Sequence, residues 1–324
     1  MSLAPWVKQY EDELLEEYLS RNTNPEVIKY LEKYPKMIRW KYLSENPVAI
    51  EILKKNKHRI HWKKICLNPH PYAMEMIKEH YAHYLKRWKE KGIRTPPHMI
   101  LSWENLSKNP NAVEFLKENP QNVCWYFQEN ENEWEGGPEC SINDELDKNN
   151  PDEIHYGYLS ENPSAVGYLR EKSHIIMGDW LSTNTNGIEL LEKKPELINW
   201  YWLSENPRAV HILQKHLDKV DWCQLSKNTN AIYLLDNNLE KIDWTYLSAN
   251  ENAVHLLEKY PKKIDWRWLC KNPNAGKIFE KYLDPKNGKY ANLNIFNKLD
   301  WDWLSENPCI FVKKDEETEQ NYCV

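Results

Sequence analysis

The sequence has little glycine and phenylalanine, and it lacks the short motifs that mark common enzymes. Its 324 residues include 9 Gly and 5 Phe. Glycine-rich phosphate loops, the dinucleotide fingerprint, HExxH and GxSxG are all missing. No pair of carboxylates stands out as a general acid and base. We therefore predict a protein that is not an enzyme, with no catalytic residue, no metal site and no cofactor.

The chain also lacks the marks of a secreted or membrane protein. Its seven cysteines form no C-x-x-C pair, and their odd number favours reduced thiols. No apolar run approaches membrane-spanning length, and the N-terminus has no basic region followed by an apolar one. With 43 basic against 49 acidic residues, the net charge is −6. That charge creates no field that would attract nucleic acid, so nucleic acid is an unlikely partner.

Aromatic residues are abundant instead, and they sit in a repeated motif. The chain has 16 Trp and 19 Tyr, which a disordered polypeptide would lack. The pattern Leu-Ser-x-Asn-Pro recurs with a step of 22 residues within each unbroken run. Taken as position zero of each copy, its asparagine is Asn24, Asn46, Asn68, Asn109, Asn162, Asn184, Asn206, Asn228, Asn250, Asn272 and Asn307. This self-similarity predicts a helical repeat protein.

Each repeat carries the signals for two short helices. The first helix follows a capping residue, namely Asp221, Asp243, Asp265, Asp300 or, in one repeat, Asn199. An aliphatic residue before the cap and a leucine five positions later have the spacing of a hydrophobic staple. The second helix begins at the repeat asparagine, usually with proline at its first position, and carries one apolar stripe. Because no repeat can bury that stripe alone, neighbouring repeats must stack.

We predict an all-α fold, a right-handed α-solenoid of about 11 helix–turn–helix repeats of 22 residues. Residues 1–17 form an N-terminal segment or cap, residues 18–311 the array, and residues 312–324 an acidic tail. Insertions interrupt the array near 78–100, 126–156 and 283–298. The first repeat has Tyr18 in place of tryptophan and Leu19 out of register, so we interpret it as a degenerate cap. Eleven layers packed at about 10 Å predict a curved rod on the order of 100 Å long.

The consensus Asp-Trp-x-x-Leu-Ser-x-Asn-Pro-x-Ala-Ile-x-Leu-Leu resembles the short helical repeats of proteins encoded by giant nucleocytoplasmic large DNA viruses. The resemblance covers roughly residues 18 to 311. It implies a viral origin and a location in the host cytoplasm or the virion. The family has no common activity, so the resemblance transfers no catalytic residue.

Two of the insertions carry opposite charge. The first is basic and aromatic and includes Lys86, Arg87, Lys89 and Lys91; we expect it to extend a second helix and return by a loop. The second is acidic and includes Glu131, Glu133 and Glu135. The two segments either pair with each other, present two charged patches to a partner, or remain plain loops. These seven side chains are candidate partner-binding residues.

Two aromatic rows run through the repeats. One lies six residues before the asparagine, and its regular place beside the staple leucine predicts a structural spine: Trp40, Trp62, Trp103, Trp200, Trp222, Trp244, Trp266 and Trp301. A looser row lies two residues later and points elsewhere on the helix. It either packs on the neighbouring repeat or forms an exposed binding row: Tyr42, Tyr158, Trp180, Trp202, Tyr246, Trp268 and Trp303.

Three functions compete. We favour a non-catalytic viral protein-interaction scaffold, such as a minor structural component associated with the virion or capsid, whose partners are viral structural proteins. The alternative is an intracellular adaptor that binds a host protein. A reader of single-stranded RNA is less favoured, because the outward position of the second helices is not basic. His80 and His83 have helical metal-ligand spacing, but no further ligands complete a metal site.

Overall fold

The computed structural model describes residues 2–8, 10–95, 97–119, 156–283 and 293–312. Apart from two short strands, their regular secondary structure is helical, so the all-α prediction is confirmed. In the described part of the chain, a short first helix precedes each repeat asparagine. These first helices are α2 (Glu16–Leu19), α4 (Trp40–Leu43), α6 (Trp62–Ile65), α8 (Trp103–Lys108), α10 (Tyr156–Glu161), α12 (Gly178–Thr183), α14 (Trp200–Glu205), α16 (Trp222–Lys227), α18 (Trp244–Ala249), α20 (Trp266–Leu269) and α23 (Trp301–Glu306).

The second helices follow the asparagines and end before the next capping residue. They are α3 (Glu26–Lys33), α5 (Ile50–Lys55), α7 (Pro71–Lys91), α9 (Val113–Glu118), α11 (Val166–Glu171), α13 (Ile188–Lys193), α15 (Val210–Leu213), α17 (Ile232–Asp236), α19 (Val254–Lys259) and α21 (Gly276–Leu283). Two further helices, α1 (Pro5–Lys8) and α22 (Leu293–Phe296), and two short strands, β1 (Ser2–Leu3) and β2 (Phe311–Val312), complete the described elements. The helix α7 is much the longest, because the first insertion extends it as expected.

The predicted capping residues cap the first helices. The carboxylates of Asp221, Asp265 and Asp300 each accept a hydrogen bond from a backbone N–H three residues on. Asn199 does the same in the one repeat that lacks aspartate. The free N–H groups of a first turn are thereby satisfied, which explains how helices of four to six residues begin at defined positions.

The repeat asparagines link each repeat to the one before it. The Nδ2 group of Asn206, for example, donates to the carbonyl oxygens of Ser182 (2.9 Å) and Asn184 (3.0 Å). Its Oδ1 atom accepts from the backbone N–H of Arg208 and so caps the second helix of its own repeat. The same arrangement occurs at Asn22, Asn46, Asn68, Asn109, Asn162, Asn184, Asn228, Asn250, Asn272 and Asn307. We call these eleven residues the asparagine ring.

In the first repeat, the choice of Asn24 as position zero is wrong. Asn22 occupies that place, since it bonds to the carbonyls of Ser305 and Asn307. Asn24 lies two positions on and donates to Pro308 instead. Leu19 and Ser20 are then in register, as both are fully buried like their counterparts. The first repeat therefore matches the Leu-Ser-x-Asn motif. The distance from Asn22 to Asn46 exceeds the usual step of 22 residues by two.

The array closes on itself, so the expected open rod is wrong. Asn22 of the first repeat bonds to the last repeat just as every other ring asparagine bonds to its predecessor. The first helices α2 and α23 pack directly against each other. Beyond them, β1 pairs antiparallel with β2, with Ser2 opposite Val312 and Leu3 opposite Phe311. Trp6 also stacks on Phe279 at 5.0 Å between ring centroids.

A serine two residues before the asparagine adds a second connection between repeats. Ser204 Oγ donates to the carbonyl of Trp200 and accepts from the backbone N–H of Asp221 in the next repeat. Across the closure, Ser305 accepts from Leu15 in the same way. In two repeats the buried Cys66 and Cys270 take this place, and Cys270 Sγ accepts from the N–H of Asp300. In these two repeats the thiol replaces the hydroxyl, and it is the weaker hydrogen-bonding group of the two.

The first helices lie on the inner side of the ring. Successive first helices from α8 to α20 pack closely, as do α23 and α2, whereas the packing between successive second helices is looser. In a closed ring the inner circumference is the shorter one, so the more closely spaced elements must be the inner ones. The second helices, including the long α7, therefore lie on the outside.

We expect Asn206→Asp to lower the free energy of unfolding by at least about 3 kcal/mol, because it removes both donors and places a buried carboxylate against two carbonyl oxygens. Urea unfolding followed by circular dichroism measures the change. The matched control is Asn230→Asp: this exposed side chain also donates to the preceding repeat, at Pro207, and its replacement should cost about 1 kcal/mol or less. Equal losses would contradict the role given to the ring.

We also expect Ser2→Cys with Val312→Cys, in a Cys223→Ser background, to form an intramolecular disulfide under mild oxidation. Residues paired across antiparallel strands have Cα atoms roughly 4.5–5.5 Å apart, within disulfide range. The product would migrate as a compact monomer on non-reducing gels. The pair Ser2→Cys with Asn237→Cys should form no such bond, and an open rod would form none in either variant.

Candidate functional site

The looser aromatic row is the principal candidate surface, and the structure brings its members together. The rings of Tyr158 and Trp180 are in edge contact, with centroids 5.2 Å apart. Tyr246, Trp268 and Trp303 form a continuous set, with successive centroids at 5.2 and 5.4 Å. Tyr42 and Trp202 hold the same position in their repeats. The corrected register adds Tyr18 to this row, which we call the inner aromatic row.

Charged residues immediately before the ring asparagines lie beside these rings. Each cation at this position sits over the aromatic ring of the following repeat: Arg21 over Tyr42 (4.3 Å), Lys108 over Tyr158 (3.7 Å), Lys227 over Tyr246 (4.5 Å) and Lys271 over Trp303 (3.8 Å). Such cation–π contacts stabilise both partners by about 0.5–2 kcal/mol. Four rings of the row are therefore covered by a neighbour's ammonium or guanidinium group.

Carboxylates are interspersed with these cations at the position before the ring asparagines. Glu45 pairs with Arg21 at 2.7 Å and with Lys64 at 3.2 Å. Burial raises the pKa of Glu161, and the carboxylate of Glu205, two repeats further on, raises it as well. The first helices that carry these rings and charges lie on the inner side of the ring. The inner aromatic row and the neighbouring charges thus line the inner face of the ring.

One part of the inner face is left open. Trp202 follows a repeat with Thr183 in place of a cation, and at 37% exposure it is the most exposed indole of the row. The neighbouring Tyr201 is 44% exposed, and its ring lies 4.9 Å from that of Trp202. Exposed tryptophan and tyrosine side chains are typical anchors of protein interfaces. Tyr201 and Trp202 form what we call the inner aromatic patch.

The tryptophans predicted as a spine pack toward the second helices. Trp244 and Trp266 make edge contacts with Tyr260 and Tyr282 at the ends of the second helices of their own repeats. Trp103 is buried, and the others are partly buried against the core: Trp40, Trp62, Trp200, Trp222, Trp244, Trp266 and Trp301. This row therefore lies on a different side of the first helices from the inner aromatic row.

The basic insertion lies away from the inner face, and the acidic insertion lies outside the described residues. Lys86, Arg87, Lys89 and Lys91 are exposed on the second half of α7, away from the inner face. Glu131, Glu133 and Glu135 lie outside the described residues, so the pairing of the two insertions stays a prediction. The structure does not bring the basic side chains together with the aromatic row.

The described ranges bear on metal binding and on membrane-spanning helices. No group of three or more His, Cys, Asp or Glu residues there could hold a metal ion. None of the described helices has the length and apolar character needed to cross a membrane. His80, one of the two histidines with metal-ligand spacing, stacks flat on Trp62 with centroids 3.6 Å apart. Burial and the neighbouring His83 lower the pKa of His80 to about 4.

This low pKa predicts a pH dependence of stability. The unfolded chain takes up the His80 proton near pH 6.5, whereas the folded chain does so only near pH 4. The stabilisation from neutral His80 is therefore complete above pH 6.5 and is lost as the pH falls toward 4. Melting curves from pH 7 to 4 should fall more steeply for the wild type than for His80→Phe, which keeps a ring on Trp62. His58→Phe, at an exposed histidine, is the control, and identical slopes in all three proteins would contradict the prediction.

Comparisons with known proteins found no match. No protein-family model, no curated protein and no solved structure matches this chain.

The sequence pattern alone does not identify several residues of the inner face. Counting from Asn24-Pro25, which resembles the Asn-Pro of the other repeats, places Tyr18 in the wrong aromatic row. Counting from Leu19-Ser20-Arg21-Asn22 places it in the correct one. Tyr201 lies between the two aromatic rows and had no periodic partner to point to it. The residues before the asparagines vary in charge, and the pairing of the cations with rings of the next repeat depends on contacts between repeats.

Proposed function

We propose that this protein is a non-catalytic protein-interaction scaffold, built as an α-solenoid of eleven repeats that closes into a ring. The closed series of hydrogen bonds through the eleven ring asparagines supports the architecture. The inner face supports the binding role, because it exposes the inner aromatic patch, whereas many other rings and charged groups of this face contact one another. The resemblance of the repeats to those of giant DNA viruses supports a viral origin.

The single observation that carries the proposal is the exposure of Tyr201 and Trp202. A soluble protein rarely leaves two adjacent large rings open unless something covers them. Their first helix is held rigidly by Asn206 and Ser204, which bond to both neighbouring repeats. A rigid pair of aromatic side chains loses little entropy when a partner binds, which favours protein recognition.

Binding of single-stranded RNA is disfavoured by the same surface. An RNA-binding groove combines stacking rings with cations that are free to reach phosphates. Here Arg21, Lys108, Lys227 and Lys271 already cover aromatic rings, and Arg21 and Lys227 also pair with glutamates. We expect neither tight nor strongly salt-dependent binding to RNA.

Two kinds of partner fit this proposal. One is a viral structural protein, which would make the ring a minor virion- or capsid-associated component. The other is a host protein, which would make it an adaptor in the host cytoplasm. A fixed stoichiometry in purified particles would support the first, and absence from particles with retention in the infected cytoplasm would support the second.

The test compares pairs of variants matched for exposure. Partners recovered by affinity purification from infected host cells would be identified by mass spectrometry, and binding would be measured again with purified components. We expect Trp202→Ala and Tyr201→Ala each to weaken binding by about tenfold or more, as for aromatic anchors at interfaces. Trp88→Ala and Tyr233→Ala remove equally exposed rings, 37% and 45%, from the outside of the ring and should leave binding unchanged.

All four substitutions are at exposed positions, so circular dichroism should show folded proteins in each case. Loss of binding in the Trp88 or Tyr233 variants, with full binding in the Trp202 and Tyr201 variants, would overturn the assignment of the inner face.

A further inference from the structure

A cavity lies where the two ends of the array meet. It has a volume of about 260 Å³, and its lining includes Leu3, Lys8, Glu26, Tyr30, Lys33 and Phe311. These residues come from three parts of the chain: the N-terminal segment, the second helix α3 of the first repeat, and the strand β2 after the last repeat. A molecule in this cavity would touch all three parts at once.

Glu26 departs from the repeat rule at this cavity. It lies four residues after its ring asparagine, where Val113, Val166, Val210 and Val254 stand in other repeats and no repeat but this one has a charged residue. The side chain is nine-tenths buried. Its Oε1 atom accepts from Lys29 at 3.0 Å, whereas Oε2 is buried without a hydrogen-bond partner in the described chain. A buried carboxylate oxygen without a partner is costly, so a ligand whose donor meets this carboxylate would stabilise the folded chain.

Two lysines beside Glu26 lack a carboxylate partner. Neither Lys8 nor Lys33 forms an ion pair with any described residue, although both line the cavity; the Nζ atom of Lys33 lies 5.0 Å from the centroid of the Tyr34 ring. The phenol of Tyr30 donates to Glu11 at 2.6 Å, and the rings of Tyr30, Tyr34 and Phe311 form an aromatic wall. The cavity therefore offers ammonium groups for an anion, a carboxylate that needs a donor, and flat apolar surface.

We propose that this cavity binds a small phosphate monoester that also carries hydroxyl or amino donors, of the class of sugar phosphates and nucleoside monophosphates. The phosphate lies between the ammonium groups of Lys8 and Lys33, and a hydroxyl or amino group of the ligand donates to the carboxylate of Glu26. The ring of the ligand packs on the aromatic wall. Bound there, the ligand joins the N-terminal segment to α3 and β2 and holds the ring closed.

The cavity size restricts the ligand. About 260 Å³ is slightly below the usual range for small-molecule sites, so the ligand is a single small molecule and not a polymer. A bare phosphate ion would satisfy the lysines but leave Glu26 without a donor. This site is separate from the inner aromatic patch, so its test does not depend on the proposed scaffold function.

The experiment is calorimetric titration of the full-length protein with four probes: adenosine monophosphate, ribose 5-phosphate, inorganic phosphate and adenosine. We expect the two phosphate monoesters to bind more tightly than inorganic phosphate, and adenosine to show no binding. If only adenosine monophosphate binds, the aromatic wall selects a nucleobase; if ribose 5-phosphate binds equally, the sugar phosphate suffices. Absence of binding by both monoesters, or equal binding of inorganic phosphate, would overturn the proposal.

Variants assign the binding to this cavity. Lys33→Ala should weaken binding of the monoester by about tenfold or more, since it removes a charged contact. The matched control is Lys57→Ala, at the corresponding position of the next repeat but outside the cavity, which should bind normally. Glu26→Val restores the residue usual at this position; it should melt at the same or a higher temperature without ligand and should lose the rise in melting temperature that the ligand gives the wild type.

Hydrogen exchange provides a second measurement that does not depend on any variant. With ligand bound, the amides of β1 and β2 should exchange at least about tenfold more slowly, since opening of the closure would then require release of the ligand. Amides of α16 and α18, which lie far from the closure along the chain, should be unchanged. Equal slowing at both places, or none at the strands, would contradict the role of the ligand in closure.

Discussion

One amide group per repeat holds this molecule together. The side chain of each ring asparagine uses both N–H groups on two carbonyls of the preceding repeat and its oxygen on its own second helix. No other residue of this size offers the same donors and acceptor, since aspartate lacks the donors and serine lacks the reach. The asparagines are almost fully buried, so each unmade hydrogen bond would leave a buried carbonyl without a partner. The positions of the three insertions agree with this constraint, since each lies in the sequence after a ring asparagine and before the next capping residue, and none interrupts Leu-Ser-x-Asn.

Closure removes the weak point of a linear array. The end repeats of a solenoid normally expose one unpaired face and need special capping sequences. Here Asn22, Asn24 and Leu15 donate hydrogen bonds to residues of the last repeat. The paired strands β1 and β2 lie across the same junction. The N-terminal segment, rather than covering a free end, packs against α21 near the other end of the array.

The inner face illustrates how a repeat can be structurally regular and chemically varied. In four repeats a cation lies over a ring of the next repeat, and Glu45 and Glu205 pair with neighbouring cations, so much of the surface is internally satisfied. Among the described residues no cation lies over Trp202, and its exposure distinguishes one segment of the ring. Glu26 is a second irregularity, at the closure. In a repeat protein, departures from the pattern are better guides to binding than the pattern itself.

The sequence by itself determined the elements that depend on neighbours within about one repeat. Capping aspartates, staple leucines and asparagine caps act over a few residues, so the helices, their order and the separation of two aromatic rows followed from spacing alone. Closure was decided only by the tertiary structure, because it depends on a small rotation between successive repeats that accumulates around the whole ring. The register of the first repeat, the exposure of Tyr201 and Trp202 and the cavity at Glu26 depend on that closure. They bring together residues hundreds of positions apart, such as Glu26 and Phe311, which no local pattern connects.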